Sequence, residues 1–146
     1  MGLYCTGEFR DEVEKLRKTS SHAGIEADII EAYCNTTFAE WRTGDLLFAV
    51  PTGAPDALFL KRRLDGRGGF RVYGIAKVRA QSFYLGFVHP KTGRFGGENL
   101  TDEKRKWVPK HILSCIKSGE LLELVVDKTP GAKFRLAFRV PKAKIV

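Results

Sequence analysis

The sequence predicts an α+β fold, and three observations support this prediction. Helical periodicity dominates residues 8–42, two-residue alternation dominates most of the later chain, and a helix with its own capping signal separates two groups of strands. The chain has 146 residues, 43% of them hydrophobic, which is enough to bury a core without disulfides or metals. We therefore expect one domain over residues 1–146.

The N-terminal elements are predicted to be a short strand at residues 3–6 and two amphipathic helices. The first helix begins at Glu8 and ends at the polar cluster 19–21, and its apolar stripe consists of Phe9, Val13 and Leu16. The second helix is predicted over about residues 24–42, although two threonines weaken its middle. Together these helices predict a helical hairpin packed on a sheet.

Strand-like runs fill most of the remaining chain. A helix interrupts them, with Thr101 as its N-cap and Pro109 expected to kink or restart it. The run 82–89 is strongly apolar, which is typical of a central strand. The predicted strands are 46–50, 58–64, 70–79, 82–89, 121–126 and 134–140.

Fixed cations lie on two adjoining strands around a glycine turn. Lys61 and Arg63 are two residues apart, so on a strand they project from one face while leucines project from the other. After the turn, Arg71 and Tyr73 alternate with apolar residues in the same rhythm. The pattern predicts one apolar and one cationic face, and the cationic face suits the charge that develops when a phosphodiester is attacked.

Bulk properties restrict the partners and the compartment. The net charge of +8 favours nucleic acid, an acidic protein or an anionic membrane without choosing among them. No segment approaches the roughly 18 apolar residues that span a bilayer. Residues 1–6 lack the charged region and apolar stretch of a secretion signal, so we do not expect secretion by that route. Three scattered cysteines predict a reduced, cytoplasmic protein. Because no residues have a paired metal-ligand spacing, we expect no metal. We also expect no cofactor and no membrane partner.

The chain resembles a known family in three motifs and in the order in which they follow one another. They are the Gly-Gly-Phe-Arg-Val-Tyr strand at 68–73, Pro90-Lys91 after the apolar strand, and Glu98-Asn99-Leu100-Thr101 before the helix. The chain resembles the RelE/ParE superfamily of toxins from bacterial toxin–antitoxin pairs, most closely its HigB-like branch. The resemblance implies a small RelE-like fold, with an antiparallel sheet, an N-terminal helical hairpin and a C-terminal helix. This core would cover about residues 3–118, and the strands in 119–146 would be an extension.

The resemblance also implies an activity and partners. RelE-like members cleave messenger RNA on the ribosome without a metal ion, and a cognate antitoxin holds them inactive. Lys61 and Arg63 match the paired basic residues of the family's second strand, Arg71 matches the arginine that grips the scissile phosphate, and Lys91 matches the basic residue after the apolar strand. Arginines and lysines at these positions would stabilise the phosphorane while a base assists the ribose 2′-hydroxyl.

The family's functional tyrosine has no clear match after Lys91, and Tyr73, Tyr84 and His89 are the candidates to replace it. His89 ends a strand beside Lys91 and has an ordinary pKa near neutrality. The predicted catalytic set is therefore Lys61, Arg63, Arg71, Lys91 and His89. The predicted RNA-binding residues are Arg62, Arg67, Tyr73, Arg79 and Arg94.

Two other functions fit the same residues. The first is a non-enzymatic inhibitor of DNA gyrase like the ParE branch, although ParE-like members lack much of this basic set. The second is an RNA- or ribosome-binding domain that does not cleave.

Overall fold

The computed structural model has a seven-stranded sheet with helices on both faces, in an α+β arrangement. It describes residues 2–19, 22–49, 56–64, 69–91, 100–128 and 135–141, and of 45–49 it describes only the backbone. The strands are β1 (Gly2–Cys5), β2 (Asp45–Ala49), β3 (Ala57–Leu64), β4 (Phe70–Lys77), β5 (Ser82–Pro90), β6 (Leu122–Asp127) and β7 (Arg135–Arg139). The helices are α1 (Gly7–Arg17), α2 (Ile25–Ile29), α3 (Phe38–Trp41) and α4 (Asp102–Ser118).

The sheet is mixed, so the expectation of an antiparallel sheet was wrong. The strand order is β2-β3-β4-β5-β1-β6-β7, and β1 runs parallel to β5 while the other neighbouring pairs are antiparallel. The parallel pair arises because the chain leaves β1 through α1 and returns from the far edge of the sheet. The C-terminal strands continue this same sheet: β6 pairs with β1, and the backbone N–H of Leu136 on β7 donates to Glu26 Oε2 on α2 at 3.0 Å.

Helix α1 forms as its sequence pattern predicts. The Thr6 hydroxyl accepts a hydrogen bond from the backbone N–H of Phe9 at 3.2 Å, which caps the first turn. The apolar stripe of Phe9, Val13 and Leu16 is fully buried against the sheet.

The second helix is broken, so the prediction of one helix over 24–42 was wrong. Helix α2 continues as a π-helix over Ile30–Cys34, which ends where the N–H of Asn35 donates to Ile30 O at 3.0 Å. Thr36 then donates its hydroxyl to Ala32 O at 2.8 Å, and Thr37 is extended with φ −99°. Because threonine side chains compete for backbone groups, the chain leaves the helix here and re-enters it as α3.

Helix α4 is continuous through Pro109, so no restart occurs there. Thr101 accepts from the N–H of Lys104 at 3.3 Å, and Gly119 ends the helix with φ 79°. Val108 precedes Pro109 and Ile112 follows it by one turn, and both are buried in the second core.

Two cores lie on opposite faces of the sheet. The first packs the sheet against α1, α2 and α3, and the second packs it against α4. Phe59, Ile75 and Tyr84 belong to the second core. The middle of the face expected to be cationic is therefore hydrophobic under α4, and its cations lie toward the ends, with Lys61, Arg63 and Arg71 at one end and Lys77 at the other.

A β-bulge in β5 determines which side chains reach that end. Tyr73 pairs with Phe87 whereas Gly74 pairs with Leu85, so Gly86 is an extra residue. Since an extra residue reverses the alternation, Phe87 and His89 point to the same face as Tyr84. A Cβ on Gly86 would lie 2.7 Å from Ile112 Cγ1 and 3.0 Å from Val108 Cγ1, so glycine permits α4 to approach.

Gly86→Ala should destabilise the protein by about 1–3 kcal/mol, because the added methyl group overpacks the contact with α4. Urea denaturation followed by circular dichroism measures this change. Gly7→Ala is the matched control, because its Cβ would meet only Arg10 Nη2 at 3.9 Å. Equal stability of the two variants would contradict the role assigned to Gly86.

Candidate nucleic-acid site at one end of the sheet

Strand register brings most of the predicted catalytic residues together. Arg63 on β3 pairs with Arg71 on β4, which pairs with His89 on β5, and the next row across the same strands is Lys61, Tyr73 and Phe87. We call these six residues the basic–aromatic patch: Lys61, Arg63, Arg71, Tyr73, Phe87 and His89.

Lys61, Arg71 and Tyr73 form a buried floor of the patch. Arg63 and the neighbouring Lys91 form its exposed margin. Lys61 and Arg71 are each 2% exposed, and Tyr73 is also buried. Arg71 donates from Nη1 to the carbonyl oxygen of Phe70 at 3.2 Å. Arg63 and Lys91 are exposed, and the N–H of Lys91 donates to Gly69 O at 2.9 Å, which fixes the backbone just beyond β5. Cations in the floor therefore act through the potential they create, whereas those at the margin face solvent.

Tyr73 and His89 form a hydrogen-bonded pair inside the patch. The Tyr73 hydroxyl lies 2.9 Å from His89 Nε2, and the rings stack with centroids 5.4 Å apart. His89 Nδ1 lies 2.9 Å from Pro90 O. Since a carbonyl oxygen only accepts, Nδ1 carries the hydrogen, and the Nε2 lone pair of the neutral ring accepts the Tyr73 hydroxyl hydrogen.

The surroundings keep His89 neutral. Burial lowers its pKa below 6.5, and Lys61, Arg71 and Lys104 lower it further, while the hydrogen bond to Pro90 acts in the opposite direction. A neutral imidazole accepts a proton at its unprotonated nitrogen. The hydrogen bond places that nitrogen, Nε2, next to the Tyr73 hydroxyl, so both the position and the lowered pKa of His89 suit a proton acceptor.

Arg62 lies on the opposite face, away from the patch. It donates from Nη1 to Ala32 O at 3.0 Å and to Glu40 O at 3.2 Å, and its guanidinium lies over the Tyr33 ring at 5.1 Å. These bonds tie β3 to the π-helix and to α3.

The remaining predicted residues lie elsewhere. Arg79 is exposed beyond the other end of β4, where its N–H donates to Asp56 Oδ2 at 3.0 Å. Tyr84 stacks on Tyr4 at 5.5 Å, on the far side of the bulge from His89. Arg67 and Arg94 lie outside the described residues.

Sequence reasoning missed Phe87 and Lys104. The Lys104 ammonium lies 4.0 Å from the centroid of the Phe87 ring, which brings the first turn of α4 against the patch. The signal that could have identified Phe87 is Gly86, since a glycine inside an apolar strand is a typical bulge position.

Among the described residues, no group of three or more His, Cys, Asp or Glu side chains could hold a metal ion. No helix in the described ranges is both long and apolar enough to cross a bilayer. No protein-family model and no curated protein matches this chain.

His89 should make the protein less stable in acid. Its pKa is lower in the folded than in the unfolded chain, so between these two values the unfolded chain binds more protons and unfolding becomes easier as pH falls below about 6.5. Urea denaturation between pH 5 and 8 should show a smaller loss of stability in His89→Gln than in the wild type.

Tyr73→Phe is the matched variant, because it loses the hydroxyl but retains the titrating ring. Its loss of stability in acid should remain close to that of the wild type. Identical pH dependence of wild type and His89→Gln would contradict the lowered pKa of His89.

Proposed function

We propose that the protein is an RNA endonuclease that cleaves without a metal ion. The observation that carries this proposal is the Tyr73–His89 pair, a proton acceptor held among the cations Lys61 and Arg71. We further propose, from the family resemblance, that the substrate is messenger RNA on the ribosome. The protein would then act as a toxin in the cytoplasm and be held inactive by a cognate antitoxin.

The proposed reaction uses the ribose next to the scissile phosphate. The 2′-hydroxyl oxygen forms a bond to phosphorus and the bond to the 5′-oxygen breaks, which leaves a 2′,3′-cyclic phosphate. The 2′-hydroxyl proton passes to the Tyr73 oxygen while the Tyr73 proton passes to His89 Nε2. The leaving 5′-oxygen takes a proton from water, and the proton that His89 Nε2 then releases neutralises the resulting hydroxide and restores the neutral ring. Positive charge from Lys61 and Arg71 stabilises the phosphorane, in which negative charge is greatest.

Burial of the floor sets a condition on this proposal. Lys61 and Arg71 are each 2% exposed, Tyr73 is 1% exposed and His89 is 8% exposed. A phosphate therefore meets the exposed Arg63 and Lys91 first, and the proposed proton transfer requires the Tyr73 hydroxyl to become accessible to the RNA. This burial favours a second candidate function, an RNA-binding domain that uses the exposed margin and does not cleave.

His89→Gln should reduce the cleavage rate by about 10²–10⁴-fold, the usual contribution of a general base. Brief induction in bacteria, followed by mapping of 5′ ends on translated and untranslated messages, measures this. New 5′ ends are expected only on translated messages, and they should be lost in His89→Gln and in Arg71→Ala.

Arg79→Ala is the matched control, because it removes one exposed cation at the far end of the sheet. It should cleave like the wild type. Growth arrest without new 5′ ends would support the non-cleaving candidate, and the absence of both arrest and cleavage would refute the toxin proposal.

A further inference from the structure

A cleft of about 560 Å³ separates the first turns of α1 and α4 and adjoins the basic–aromatic patch. Phe87 belongs to both regions: it lines the cleft, and its ring centroid lies 6.3 Å from that of His89. The cleft is lined by Glu8, Asp11, Glu12, Phe87, Thr101, Glu103, Lys104 and Trp107.

Trp107 provides an aromatic surface in this cleft, and a neighbouring side chain holds its ring in place. Its side chain is 45% exposed, and its ring stacks on His111 with centroids 4.5 Å apart and planes 11° from parallel. His111 Nε2 in turn lies 2.6 Å from Glu8 Oε2 on α1. Because the indole is already held in place, a flat ligand stacking on it would lose little additional side-chain entropy.

The charge of the cleft selects the kind of ligand. Four carboxylates and one ammonium line it, in a chain whose net charge is +8. Asp11 is paired with Arg10, Glu12 with Lys15 and Glu8 with His111, and each of these carboxylates keeps further lone pairs for a ligand. Carboxylates repel phosphate and accept hydrogen bonds from N–H groups. A flat, neutral ring with N–H groups on its edge can stack on Trp107 and donate hydrogen bonds to the carboxylates at the same time. Guanine is such a ring, and its two donors, N1–H and N2–H, are adjacent.

We propose that this cleft binds one guanine base of the RNA whose phosphate lies at the basic–aromatic patch. This inference rests on the proposed function, since it names a base subsite next to the proposed cleavage site. The shared residue Phe87 supports it, because a base and its adjoining phosphate are separated by only a few ångströms. An arginine-rich peptide is the less favoured ligand, because Lys104 and the cations of the patch repel it at one end of the cleft.

The test uses fluorescein-labelled hexaribonucleotides that are 2′-O-methylated throughout, so that the attacking hydroxyl is blocked. One carries a single guanine among uracils, and the other carries only uracil. Fluorescence anisotropy gives the affinities. Because Trp41 also fluoresces, the part of the tryptophan signal that is absent in Trp107→Leu reports contact with the cleft. The variants are Trp107→Leu and Trp107→Phe, with Val140→Ser as the control at an exposed apolar residue, 77% exposed, on the C-terminal extension.

The wild type should bind the guanine oligonucleotide about 5- to 100-fold more tightly than the uracil one, the discrimination expected when two N–H groups of a stacked base donate to a carboxylate. Trp107→Leu should lose this preference, Trp107→Phe should keep part of it, and Val140→Ser should keep all of it. Equal affinities in the wild type, or a preference that survives in Trp107→Leu, would overturn the subsite.

Other outcomes separate the subsite from the nuclease. Cleavage that depends on His89 without any guanine preference would refute only the subsite. A guanine preference that depends on Trp107, without cleavage in cells, would support the subsite and refute the nuclease. Quenching of Trp107 by an arginine-rich peptide but by neither oligonucleotide would replace the base with a basic peptide segment.

Discussion

The extra residue at Gly86 is the constraint on which the site depends. In an uninterrupted strand, the face that carries Tyr84 would also carry Val88, and His89 would point into the first core. The bulge reverses this order, so that His89 meets Tyr73 instead. It also links α1 and α4 to the site: the Gly86 carbonyl accepts from the hydroxyl of Thr6, the N-cap of α1, at 3.2 Å, and the missing Cβ leaves room for Val108 and Ile112 of α4.

Helix α4 covers the face of the sheet that carries both the second core and the patch. The patch therefore lies in the same apolar surroundings as that core. Phe59 and Tyr73 pack with ring centroids 6.4 Å apart, so the apolar core reaches the floor of the patch without a break. Low polarity strengthens the effect of Lys61 and Arg71 on their neighbours, because less solvent screens their charge. The same burial that stabilises the fold thus keeps His89 in its neutral form.

The sequence alone predicted features that follow from local patterns. The stripe of α1 and the shared face of Lys61 and Arg63 depend on periodicities of 3.6 and 2, and the Thr101 cap depends on residue type. Each of these features is visible within a single helix or strand. The parallel pairing of β1 with β5 depends on contacts about 80 residues apart, as between Leu3 and Phe83, and no local pattern encodes it. Burial of Lys61 depends on coverage of the sheet face, which its own strand does not reveal.

Lys104 marks the boundary between the two parts of the proposed site. It lies in the first turn of α4, where the helix dipole disfavours a cation, and Asp102 and Glu103 before it offset this cost. Its ammonium nevertheless lies over Phe87, the residue that the patch and the cleft share. A cation–π contact with this ring offsets a further part of the cost of a lysine in the first turn. Lys104 and Phe87 therefore lie where the cationic patch, the proposed site for a phosphate, meets the acidic cleft, the proposed site for a guanine base.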